Sequence, residues 1–441
     1  MLVFFENVLW LLVLIGVMIN IHELGHFWAA RYFDVKVEAF SFGFGTRIFG
    51  FRRGETDYRF SLIPLGGYVK MAGEQATDEN LDDPRGFMAK PRWQRLIIAF
   101  AGPFMNVVLA IGLLTGLYMV KYQKVSDADM EAVIGHVMPD SAAAKAGIQD
   151  GDRIVRLDGK ENPTWEDVGL KEIESAFRPM HLTIERGGKR FDTTVTPVLS
   201  ERSGVGFAGW DERGQIQLGE VEANLPADKA GLKKGDLIVA VNGQQMHSQI
   251  KFQEITKNSN GKPIEVEYER NGEKHTVTVT PTYANIDGPW RWMIGVLPTQ
   301  KLTLITARLS LPAALNESIR QNAKSALLIV RVFKGMLERR MSTKNLTGPI
   351  GIATLSGDAA REGPSAFFML MSMVSLNLAI FNLLPIPIMD GGVILMLLVE
   401  MTMQRDLSLN VKELVFKVGF VCIMVILAFS IYNDISKIAT G

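Results

Sequence analysis

The stretch that decides the fold is VLWLLVLIGVMINIHELGHFWAA, residues 8–30, whose only ionisable side chains are His22, Glu23 and His26. Ionisable groups inside so long an apolar run are costly and as a rule pair, bind or catalyse. On a helix the two imidazoles, four residues apart, project from one face and can share a zinc ion, while Glu23 beside them can act on a metal-bound water. The stretch therefore predicts a membrane-crossing helix that carries chemistry inside the bilayer.

Working outward, the chain has 441 residues, 47% of them hydrophobic, and a mean hydropathy of +0.13. It is too long for one ordinary core and too apolar for a wholly soluble protein, which predicts part membrane and part soluble structure. Spans are expected at residues 2–30, 96–120, 366–384 and 414–431, each near the twenty or so residues that a bilayer requires. A formal net charge of zero gives no support for nucleic-acid binding, and the single Cys422 excludes a disulfide framework within the chain. Met1 to Asn20 holds no Lys or Arg, so the first segment is expected to be retained and not cleaved as a signal peptide. Arg31, Lys36, Arg47, Arg52, Arg53 and Arg59 follow the first span, and the positive-inside rule puts residues 31–95 in the cytoplasm. Alternation then places residues 121–363 and both termini outside, and the segment with Arg405, Lys412 and Lys417 inside.

The middle of the chain is a duplication. Gly147, Asp152, Gly159, Arg186 and Pro197 recur as Gly231, Asp236, Gly243, Arg270 and Pro281, each 84 residues on. Each copy reads as a strand (residues 133–137 or 216–221), a short Ala-containing helix, a Gly-Asp turn, an aliphatic strand, a second helix and a hairpin. A repeat of that length predicts two independent domains and not a solenoid. SAAAKAGIQDGDRIVRLDGK and PADKAGLKKGDLIVAVNGQ resemble the PDZ fold in its bacterial, protease-associated form. In such modules a peptide adds as a strand, with backbone N–H groups near a Gly-containing loop holding its carboxylate. By position those loops would be Ile134-Gly135 and Leu218-Gly219. The same modules could instead be closed and act as spacers or a sieve.

Two imidazoles leave a catalytic zinc short of a ligand. The chain does not continue with a third His close by, and Glu38 lies beyond the helix among basic and turn residues. Asp390 in NLLPIPIMDGG, residues 382–392, is the better candidate. Two prolines interrupt that stretch, and non-helical backbone at membrane depth is tolerated only where protein or a watery cavity surrounds it. His22, His26 and Asp390 would leave a fourth position open to water, as a hydrolytic zinc requires.

With these motifs in hand the chain resembles the site-2 proteases, intramembrane zinc metalloproteases, in the RseP-like branch that carries tandem PDZ domains. The resemblance rests on IHELGH, FSFGFG at residues 40–45, PLGGYVKM at 64–71, AGPFMN at 101–106, NLTGPI at 345–350 and NLLPIPIMDGG, where Met389 stands in place of the family's usual Leu. It implies His22, His26 and Asp390 as zinc ligands, Glu23 as the base, and Asn382 holding substrate or its oxyanion. It implies a single-pass membrane protein as substrate, an anti-sigma factor or a remnant signal peptide, cut after prior trimming in a bacterial inner membrane, with the PDZ domains periplasmic. Residues 64–71 read locally as a hairpin around a Gly pair. The resemblance implies that this hairpin re-enters the membrane region and offers an edge, through Gly66, Gly67 and Tyr68, to an unwound substrate. Residues 315–340 fit an amphipathic helix lying at the lipid surface.

The expected architecture is a multi-span α-helical membrane protein of about four transmembrane helices with a membrane-associated β-hairpin. Two α+β PDZ domains are inserted between spans two and three. The divisions are residues 1–120, 130–198, 215–283, 300–345 and 346–441. A membrane PDZ adaptor with a structural or vestigial zinc site is the alternative function, against which Glu23 stands, since a structural site needs ligands but no base. A metal transporter is disfavoured by the large insertion.

Overall fold

The computed structural model describes residues 2–74, 83–126, 130–201, 203–285, 290–342 and 348–440; Asn345, Leu346 and Thr347 of the NLTGPI motif lie outside them. Among the described residues four helices are long and apolar enough to cross a membrane, covering Val3–Tyr32, Arg92–Val120, Pro364–Asn382 and Asn410–Ser436. The chain divides into two units, one made of Met1–Tyr122, Ala307–Val330 and Leu346–Lys437, the other of Gln123–Thr306 and Arg331–Asn345 with the last residues of the chain.

In the first unit the HExxH helix, α1 (Leu2–Tyr32), packs on α2 (Arg92–Val120). Gly25 makes this approach possible, since a Cβ there would stand 2.8 Å from Met105 Cγ and closer still to the Ala101 carbonyl. Between them run β1 (Val37–Arg53) and β2 (Thr56–Met71). The first part of β1 lies between the two halves of β2. Phe40 pairs with both Tyr58 and Val69, and Phe42 with both Phe60 and Gly67, so the hairpin forms four short rungs with irregular register. The Gly66-Gly67 pair is not the turn expected from the sequence, because both residues lie within β2 and the chain reverses at Gly54-Glu55. Gly66 has φ +124, a backbone state that lets the strand jog from one partner to the next.

The second unit contains both repeats, with helices α3 (Ala142–Lys145) and α4 (Trp165–Glu174) in the first copy and α5 (Pro226–Lys229) and α6 (Gln249–Lys257) in the second. The duplicated Gly-Asp turns are held identically. Arg186 grips Asp152 through two bonds of 2.6 and 2.7 Å and reaches the Gly147 carbonyl at 2.7 Å. Arg270 grips Asp236 through two bonds of 2.7 Å and reaches the Gly231 carbonyl at 2.8 Å. Each core also draws on residues beyond the repeat as read from sequence: Ala208 and Trp210 in the first, Ile294 in the second.

The expected surface helix is α7 (Leu311–Leu337), continuous through its basic residues. It is followed by α8 (Pro349–Glu362), which the sequence reading did not separate, then α9 (Pro364–Asn382), α10 (Asp390–Met403) and α11 (Leu409–Thr440). The orphan N–H groups at the start of α8 are met by Asp434 of α11, which accepts from Gly348, Ile350 and Gly351 at 2.9, 3.0 and 3.1 Å. Buried Glu400 on α10 accepts from Lys412 of α11 at 2.7 Å and lies 3.7 Å from buried Arg95 of α2. Paired charges thus fix the far end of the helix whose first residue is Asp390.

Candidate active site

Helix α1 turns both imidazoles toward α2 and α10. His22 Nε2 lies 3.2 Å from His26 Nε2, and Asp390 brings its two carboxylate oxygens to 3.0 Å from His22 Nε2 and 3.4 Å from His26 Nε2. Both histidines are buried. Residues 364 and 368 positions apart therefore present, among the described residues, three ligand atoms within 4.8 Å of one another. Asp390 arrives there because α9 ends at Asn382, the Pro-interrupted turn reverses the chain, and α10 starts at Asp390 itself. Ile388, in that turn, has φ +83. Such a conformation is strained for a β-branched residue and is tolerated where the surroundings impose it, as functional turns often do.

The residues present fit a zinc ion. Two imidazoles and a carboxylate are a common catalytic donor set for zinc. The cradle is also shaped for it: a Cβ on Gly102 of α2 would stand 2.7 Å from His22 Nε2 and nearer still to His26 Nε2, so no side chain can enter from that helix. His26 Nδ1 lies 2.8 Å from the Ile98 carbonyl, which accepts its proton and leaves the Nε2 lone pair facing the centre.

Glu23 sits one residue from His22, and its carboxylate accepts the Val69 N–H at 3.0 Å. Val69 pairs with Phe40 of β1 while its N–H goes to Glu23, so the hairpin reaches the site through its backbone. Gly67 lies close by, where a Cβ would come within 3.7 Å of Glu23 Cγ and 2.7 Å of the Ser41 carbonyl. Tyr68 pairs with Ser41 across the hairpin. Asn382 places its amide nitrogen 3.5 Å from His22 Nε2. Glu38, the fallback ligand, is engaged elsewhere, in an ion pair with Lys70 at 2.8 Å.

Asn106, buried on α2 with its side-chain nitrogen 3.2 Å from His22 Nδ1, was not singled out by the sequence reading. A polar residue within an apolar span was the available signal. The two loop glycines of the repeats require a correction. Gly135 lies in the strand Ile134–Val137, which is paired with Trp210–Glu212 on one side and bonded to Gly151 and Asp152 on the other. Gly219 lies in Gln215–Val221, between Leu237–Val241 and Val296–Lys301. Both glycines therefore lie within paired strands and not in loops. In the first copy the strand beside α4 is Gly206–Phe207, and the adjacent Ala208 N–H is already taken by Glu172 of α4 at 2.6 Å, with the Trp210 indole on the same carboxylate at 2.9 Å.

Comparison with known proteins accords with this geometry. The model of peptidase family M50 matches residues 10–426. The regulator of sigma E protease of Salmonella typhi is 33% identical, over 98% of this chain and 100% of that protein. A Xylella fastidiosa protein named "Putative zinc metalloprotease" is 30% identical over 98% and 99%. A PDZ domain structure from Listeria innocua, 22% identical, covers 20% of this chain and 96% of its own, with a TM-score of 0.18. With the family model spanning nearly the whole sequence, the chain belongs to peptidase family M50, the site-2 proteases, and is an intramembrane zinc metalloprotease.

Proposed function

We propose that this protease cuts the transmembrane segment of a single-pass protein, an anti-sigma factor or a remnant signal peptide, after another protease has trimmed it. The observation that carries the reading is the convergence of His22, His26 and Asp390 beside a carboxylate, Glu23, that is not one of the converging groups. His22, His26 and Asp390 hold the zinc. When bound, the ion supplies Lewis acidity, polarising the scissile carbonyl and acidifying water. Glu23 takes the attacking water's proton and returns it to the leaving amine. The Val69 N–H holds that carboxylate in place. Asn382 offers its amide N–H to the substrate carbonyl as charge develops on oxygen.

The β2 edge through Gly66, Gly67 and Tyr68 keeps the unwound substrate extended by main-chain pairing, which reads no side chains. Specificity then comes from helix instability and prior trimming. The repeated modules, read as PDZ domains, select substrates by size or by taking peptide C-termini. In a bacterial inner membrane the Arg-rich segment after α1 faces the cytoplasm, and the modules and both termini face the periplasm.

The test is co-expression with candidate single-pass substrates, comparing the wild type with Glu23→Gln. The wild type should release a fragment cut within the span. Glu23→Gln should retain zinc and lose cleavage by about 10²–10⁴-fold, the usual contribution of a general base. Cleavage by the variant at the wild-type rate would remove Glu23 from the mechanism.

A further inference from the structure

Asn106 is fully buried on α2, and its side-chain oxygen has no hydrogen-bond partner among the described residues. Its nitrogen lies 3.2 Å from His22 Nδ1. A histidine that offers Nε2 to a metal keeps its proton on Nδ1, and that proton needs an acceptor. An amide nitrogen cannot be one. Exchanging the two ends of the amide, which look alike in shape, sets the oxygen against Nδ1–H and removes the orphaned acceptor in the same step. His26 already shows the pattern, with Nδ1 at 2.8 Å from the Ile98 carbonyl. Ile98 and Asn106 both stand on α2, and Gly102 between them lets that helix approach the imidazoles.

We propose that Asn106 is a positioning residue: its side-chain oxygen accepts the His22 Nδ1 proton, so that α2 fixes both zinc-binding imidazoles in one tautomer, through a backbone carbonyl at His26 and a side chain at His22. Ser375 of α9 donates to the Asn106 carbonyl at 2.9 Å, which anchors this turn of α2 from the opposite helix. The inference rests on the zinc ligands named above.

The test measures zinc affinity of the full-length chain in detergent by chelator competition, together with the imidazole proton resonances of the zinc-loaded, nitrogen-labelled protein. Asn106→Ala should weaken zinc about 10–100-fold, the range seen when such an outer partner is removed. It should also expose the His22 Nδ1 proton to fast exchange while leaving that of His26 protected. Asn106→Asp keeps an acceptor and should bind zinc at least as tightly as wild type. Wild-type affinity in Asn106→Ala, or an Asn106→Asp protein that folds yet loses zinc tenfold, overturns the proposal. Should Asn106→Ala fail to fold, a fast-exchanging His22 Nδ1 proton in the zinc-loaded wild type overturns it alone. His22→Ala is the control for the underlying reading. If that variant keeps wild-type zinc affinity the ligand set is wrong, a failure that leaves a different signature from loss of the Asn106 contact.

Discussion

Two kinds of carboxylate, one in the repeated modules and one at the converging site of the membrane unit, are used in opposite ways. In the repeated modules Asp152 and Asp236 are each closed off by a forked guanidinium, and each also accepts a backbone N–H, from Gln149 at 2.9 Å and Lys233 at 2.8 Å. Their acceptor sites are filled by protein, and the same solution appears twice because it is architecture. In the membrane unit Asp390 faces two imidazole nitrogens that face one another at 3.2 Å, an arrangement suited to a shared ion. A closed charge holds a turn, whereas a convergent set of donors holds a metal.

The sharpest way to break this contrast is Asp390→Ala. Two imidazoles alone should hold zinc poorly, so metal content of the purified chain and cleavage should fall together, with cleavage at background. Full zinc occupancy in the variant, measured by elemental analysis, would show that Asp390 is not the third ligand. The repeated modules should be untouched, since all the converging residues belong to the first unit.

Asp152→Ala makes the reciprocal cut. Zinc content should be unchanged, while the first module loses about 2–4 kcal/mol from the broken charge-assisted bonds. The lower end is expected because Arg186 keeps 37% of its side chain exposed and can be rehydrated. Asp236→Ala should cost the second module a similar amount, and a tenfold disparity in amide protection between the two variants would mean that the copies are not held alike.

What could be read from sequence follows the range of the interactions. The HExxH face depends on residues four apart, and the repeat on matched short strings, so both are local and legible. Asp390 could be nominated because two prolines so close together, at 385 and 387, prevent a regular helix through that stretch. The rest needed tertiary information. The Gly66-Gly67 pair looks like a turn until β1 supplies two pairings for β2. Asp434 appears in sequence as a charge near the end of an apolar run, and only the fold reveals it as the cap of α8. Trp210 and Ile294 complete the module cores from beyond the repeat, because strand pairing ignores distance along the chain.

The smallest expected effect separates the two copies from each other. Glu172 of the first module is buried, and that burial pushes its carboxyl up to about 7 against the pull of the Ala208 and Trp210 N–H groups. Thr256 stands at the corresponding place in the second module and bonds the Phe252 carbonyl at 3.0 Å. A carboxyl with a raised folded-state pKa binds its proton more tightly folded than unfolded. Its contribution to stability is therefore complete below about 4.5 and is lost as pH rises toward about 7, with little change above. The ceiling is about 3 kcal/mol at roughly 1.4 kcal/mol per unit. Glu212 of the same module is also raised to about 7 by burial and by Asp211, so Glu172→Gln should reduce the pH slope without abolishing it. The measurement is hydrogen exchange of the full chain between pH 5 and 7.5, corrected for intrinsic rates, at Ile184 and at Tyr268, its counterpart in the second module. Protection at Ile184 should fall with pH and fall less in Glu172→Gln, while Tyr268 is indifferent to the substitution. An Ile184 slope that the substitution leaves unchanged would show that Glu172 stays ionised on its two N–H donors, and the first module would then be as closed as the Asp152 clamp.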